Sequence, residues 1–122
     1  MTDSDSILLG DIGGTNARFA ILNRGAIGPI EYIKVAKCSG VIEAIQRYLS
    51  GRTDKLPVKR AVLGLAGPVE NNRCEITNSR WIVDGQTLKD ALDLQEVRLL
   101  NDFEALAWSL PHLGATDLFP LG

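Results

Sequence analysis

Cysteine is scarce in this chain: Cys38 and Cys74 are the only two among 122 residues. Two isolated thiols are too few for a disulfide framework or a metal cluster. Positive charge is not in surplus either, since 13 Lys and Arg stand against 15 Asp and Glu for a net charge of −2. That balance offers no basic field to nucleic acid or to an anionic membrane, so neither is expected as a partner. Long hydrophobic runs are missing too. The apolar stretch after "MTDSDS" is far too short for a signal peptide or a membrane span, and a cytoplasmic location is expected. Histidine occurs once, as His112 in the turn-like "SLPHLG", where a structural role is expected over a catalytic one. What remains is ordinary for a soluble globular protein, with 45% hydrophobic and 23% charged residues. That suffices for one domain with a modest core.

The hydrophobic periods change along the chain. Residues 7–12 and 17–22 read as two strands joined tightly through "GGTN", and the alternating 30–36, "IEYIKVA", as a third antiparallel strand. Residues 40–50 shift to a helical period, with Val41, Ile42, Ala44, Ile45, Tyr48 and Leu49 on one face and Glu43 and Arg47 paired on the other. The continuous apolar run at 60–66 is expected of a strand buried on both faces. A short hairpin around Asn71 and Asn72 follows, then a helix over 85–92 capped by Asp84, with Leu88, Ala91 and Leu92 inward. A strand at 96–100 and a helix at 102–110 close the series. The fold class expected is α/β: a mixed sheet with three antiparallel strands and flanking helices. The chain stops at "LFPLG" with no closing element, the pattern expected of a truncation.

Two stretches carry candidate chemistry. In "GDIGGTNARFAIL", a hairpin tip with Gly13 and Gly14 lets backbone N–H groups converge with no Cβ in the way, and Thr15 adds a hydroxyl donor. Such a nest suits phosphate oxygens, and Asp11 could hold Mg²⁺, directly or through water. A tight turn that needs glycine, with Asp11 bonding its backbone, explains the same residues. A Walker A loop is excluded by the missing lysine, and a dinucleotide fingerprint by the strand that follows the glycines. In "LLNDFEALAWSL", Asn101 and Asp102 stand where a strand ends and a helix begins. Taken alone they read first as a helix cap, and otherwise as polar groups at the ligand-facing end of a sheet, where a carboxylate can act as general base. Asn78 in "ITNSRW" has an amide suited to a polyol, or simply makes a turn. Gly67 in "AGPV" permits close backbone approach, or makes the turn before Pro68.

Taken in order, "DIGGTNARFAIL", "GLAGPV", "ITNSRW" and "LLNDFEALAWSL" resemble the bacterial glucokinase family over essentially all of residues 7–122. That family belongs to the superfamily of sugar kinases, actin and Hsp70-type ATPases, so the resemblance implies a ribonuclease H-like (actin-like ATPase) fold. It implies ATP-dependent phosphorylation of glucose with Mg²⁺. It places Asp11, Gly13, Gly14, Thr15 and Asn16 at the ATP phosphates and metal, Asn101 on the sugar, Asp102 as the base and Asn78 near the sugar cleft. It also implies that residues 1–122 form the N-terminal, small lobe of a two-lobed enzyme whose C-terminal lobe is absent here. The isolated lobe is then expected to be incomplete, with an exposed apolar surface that favours a homodimer. A sugar-responsive regulator or binding protein, and a sugar-independent ATPase, are the alternatives on the same fold.

Overall fold

In the computed structural model of the chain, residues 6–52, 57–76 and 81–100 are described. The first two apolar runs form antiparallel strands, β1 (Ser6–Ile12) and β2 (Asn16–Asn23), with Ile12 opposite Ala17 and Asp11 opposite Arg18. The strand expected at 30–36 is shorter than that, and a separate two-residue strand precedes it. β3 (Ala26–Ile27) pairs with Leu22 and Asn23, while β4 (Glu31–Lys34) pairs with Asn16 to Phe19. Pro29 lies between them, and a proline has no N–H to give to a ladder. After Lys34 the chain tightens into one 3-10 turn, Val35–Lys37, so the strand ends earlier than its alternation predicts.

Helix α1 (Val41–Gly51) buries Val41, Ala44, Ile45 and Tyr48, while Ile42 and Leu49 of the expected stripe are only partly buried at the edge of the core. On the outer side Glu43 pairs with Arg47 at 3.0 Å and also accepts the Ser39 N–H at 2.6 Å, which fixes the entry into the first turn. β5 (Val58–Leu65) follows, parallel to β1 and buried from Ala61 to Leu65. The turn at Asn71 and Asn72 is present, with φ of 54° and 56°, a conformation that asparagine tolerates better than most residues. Its hairpin, however, amounts to a single bridge between Glu70 and Arg73. The lasting partner of β6 (Arg73–Glu75) is β7 (Ile82–Asp84), antiparallel to it. Asp84 caps α2 (Gly85–Ala91), accepting the N–H groups of Gln86 at 2.9 Å and Thr87 at 3.1 Å. Leu88 is buried as expected, whereas Ala91 faces solvent. β8 (Glu96–Leu100) lies parallel to β5, and the helix expected at 102–110 falls outside the described residues.

The main sheet therefore runs β3 and β4 along β2, then β1, β5 and β8, with the last three strands parallel. Leu8 and Ile12 of β1, Phe19 of β2, Leu63 of β5 and Leu99 of β8 meet α1 and Leu88 of α2 in one core. Phe19 stacks on Tyr48 with ring centroids 5.5 Å apart. Gly10 makes room for this core: a Cβ there would stand 2.6 Å from Leu63 Cδ2 and 3.1 Å from Phe19 Cε1. Ile7, Leu9 and Val62 alternate to the opposite face and are buried as well. The expected mixed sheet with flanking helices is the architecture observed.

Candidate functional site

The tip of the first hairpin is closed by the Gly13 N–H, which donates to Asn16 O at 3.0 Å, leaving Gly14 and Thr15 at the turn. Two neighbours pin it. On one side Val35 N–H donates to Thr15 O at 2.9 Å; on the other Ala66 N–H donates to Ile12 O at 3.1 Å. Gly13 and Gly14 are half-buried, while Thr15 and Asn16 are exposed. The Gly13 backbone is not left-handed, and a Cβ there would lie 3.4 Å from Asn16 O, an ordinary contact. Neither the turn nor the packing therefore demands glycine at position 13. A glycine there also leaves the backbone N–H groups of the tip uncovered by a Cβ.

Asp11 sits directly opposite Arg18 on β2 and is ion-paired with it, both groups being partly exposed. Reading the residues alone missed this partner, although a signal was there. Counting outward from a two-residue tip at Gly14–Thr15 pairs 13 with 16, 12 with 17 and 11 with 18. On its other side Asp11 is level with Gly64 of β5, which has no side chain, and Gly64 is level with Leu100 of β8. Asp11 and the last residue of β8 thus share one row across the sheet, two strand spacings or about 10 Å apart.

Because β1, β5 and β8 are parallel, their C-terminal ends open on the same edge. There β1 leads into the glycine hairpin, β5 into Ala66 and Gly67, and β8 into Asn101. That edge is where ligands bind in open parallel sheets. Asp11, Gly13, Gly14, Thr15 and Asn16 are thus brought together as the spacing predicts, whereas Asn78, Asn101 and Asp102 lie outside the described residues. Among the described residues no group of three or more His, Cys, Asp or Glu side chains could hold a metal. Mg²⁺ keeps several waters and takes one or two carboxylates beside phosphate oxygens, and the described carboxylate beside this tip, Asp11, is already paired with Arg18. No helix among the described residues is long and apolar enough to cross a membrane.

A family model described as Glucokinase matches residues 8–122. The glucokinase of Nitrobacter hamburgensis is 36% identical over 115 residues, covering 94% of this chain and 36% of that protein. A crystal structure of a glucokinase from an Antarctic psychrotroph superposes with a TM-score of 0.77 at 31% identity, over 92% of this chain and 37% of the other. That of a ROK family glucokinase from Streptomyces griseus, in complex with glucose and AMPPNP, gives 0.64 at 22% identity, over 85% and 35%. The last supports the fold alone, which is the actin-like ATPase fold expected. The chain spans about a third of the length of the curated relatives it matches.

Proposed function

Since the chain belongs to the glucokinase family, we propose that it forms the N-terminal lobe of a cytoplasmic enzyme that transfers the γ-phosphoryl group of ATP to glucose. The products would be glucose 6-phosphate and ADP. The observation that carries the reading is the shared sheet edge: a pinned glycine hairpin leaves β1 where, two strands away, β8 runs into Asn101 and Asp102. Phosphoryl transfer asks a protein mainly for positioning and charge stabilisation. The backbone N–H groups of Gly13, Gly14, Thr15 and Asn16 would cradle the ATP phosphates. Asp11 would hold Mg²⁺, directly or through water, and the bound ion would neutralise charge on the phosphate oxygens. Asn101 would hydrogen-bond the sugar, with Asn78 nearby. Asp102 would orient the 6-hydroxyl and accept its proton as it attacks. A second lobe would complete the cleft and exclude water, which otherwise competes as acceptor.

Asp102→Ala in the full-length protein tests the assignment. Glucose 6-phosphate formation should fall by roughly 10²- to 10⁴-fold, the usual contribution of a positioned base, with the far-UV spectrum unchanged. Wild-type turnover by that variant would remove Asp102 from the mechanism. A sugar-responsive regulator on the same fold would bind glucose with no ATP turnover in the wild type, so the same assay separates the two readings.

A further inference from the structure

Asn72 does more than complete a turn. β8 is the last strand of the sheet among the described residues, with β5 on one side only. On its open side the Asn72 carboxamide takes the place of a neighbouring strand's peptide group. Its Nδ2 donates to Val97 O at 3.0 Å, and the Leu99 N–H donates to its Oδ1 at 3.1 Å. The backbone of the same residue is tied elsewhere, for Gly85 N–H donates to Asn72 O at 2.9 Å. Gly85, the first residue of α2, leaves the space: a Cβ there would stand 2.0 Å from Asn72 Nδ2 and 2.8 Å from its Cγ. The left-handed φ of 56° aims the side chain at β8. One residue thus joins a turn, a helix start and a free strand edge.

We infer that Asn72 is a positioning residue for phosphoryl transfer, acting through β8 on Asn101 and Asp102, which follow it in sequence. The inference rests on the kinase reading above. The coupling is mechanical. Leu99 is three residues from Asp102, at most about 10 Å of extended chain. A parallel strand held on one side can fray, and Asn72 holds its central peptide groups, those on either side of Arg98. An error of about 1 Å in the placement of a reacting group can cost up to roughly 10²-fold in rate. A clamp on β8 limits that error for a base that follows the strand in sequence.

Three variants of the full-length protein test this: Asn72→Gly, Gly85→Ala and the double variant. Asn72→Gly deletes the amide but keeps a residue at ease with positive φ, so the turn survives. Gly85→Ala leaves Asn72 in place and pushes its amide away. Each single change should lower kcat for glucose phosphorylation by about 10-fold and leave the KM for ATP within about twofold, because the nucleotide hairpin lies on β1 and β2. Hydrogen exchange at the Leu99 amide should quicken by about 10-fold or more. The double variant should lose at most about twofold beyond Asn72→Gly alone, since the side chain that the methyl group would strike is gone and only the backbone O of residue 72, 3.3 Å away, stays close. Unchanged kcat alongside faster Leu99 exchange would overturn the positioning role and leave only a structural one. Unchanged exchange would overturn the clamp itself. A wild-type protein that phosphorylates no sugar would instead overturn the kinase reading.

Discussion

At the scale of single residues, the two cysteines should behave differently. Burial pushes the Cys74 thiol above its ordinary pKa, and the neighbouring Glu75 carboxylate adds to the shift. Cys74 is also sealed at 2% exposure, whereas Cys38 is half-exposed. A thiol reagent near pH 8 should therefore modify Cys38 quickly and Cys74 only when denaturant opens the fold, which mass spectrometry on the labelled chain would reveal. Equal rates would mean the core around Cys74 is open. Gly10 gives a second test. Alanine at that position must displace the end of Leu63 or the ring of Phe19, and both are shut in the core. Overpacking of this kind costs about 1–3 kcal/mol, and denaturant titration of Gly10→Ala should show a loss in that range.

Whole elements respond to their ends. Asp84 satisfies two N–H groups that α2 cannot pair internally, so Asp84→Ala should cost about 1 kcal/mol, read as a lower denaturation midpoint. At α1, the Ser39 N–H holds the Glu43 carboxyl below its ordinary pKa, with further help from the Ser39 hydroxyl and Arg47. A depressed folded-state pKa contributes stability above the unfolded value and loses it as pH falls through the folded one. The stability gap between wild type and Glu43→Gln should therefore narrow as pH is lowered from 7 to about 3. The Asp84 cap and the Glu43–Arg47 pair were legible in the sequence, as were β5, β8 and most of the apolar stripe of α1, because period, caps and turn residues act within a few positions; the Ser39 contact was not read. The split between β3 and β4 was less so. It depends on Pro29 and on Val35 turning away to reach Thr15, a contact set by tertiary position. The partner of β6 was hidden for the same reason. In the site, the glycine hairpin could be read from its spacing, but the role of Asn72 depends on a strand 27 residues further along lying beside it.

At the scale of the molecule, the chain holds one side of a proposed cleft. Isothermal titration should find glucose and ATP bound weakly or not at all by the 122-residue chain, with no glucose 6-phosphate formed. Robust turnover by the chain alone would contradict the two-lobe reading. Sedimentation should detect self-association, including the proposed homodimer, if an apolar lobe face stands uncovered. The central place of β1 has one more outcome, in the order of assembly. Its first partner, β2, is complete at Asn23, whereas its second, β5, begins at Val58, about 35 residues later. At ribosomal rates of roughly 5–20 residues per second, the bare edge of β1 waits several seconds for its neighbour. During that wait the apolar "SILLGDI" presents one unpaired edge of the kind that recruits other chains. Slowing synthesis between residues 23 and 58 should therefore increase aggregation of the nascent protein, whereas slowing it after β5 has emerged should not.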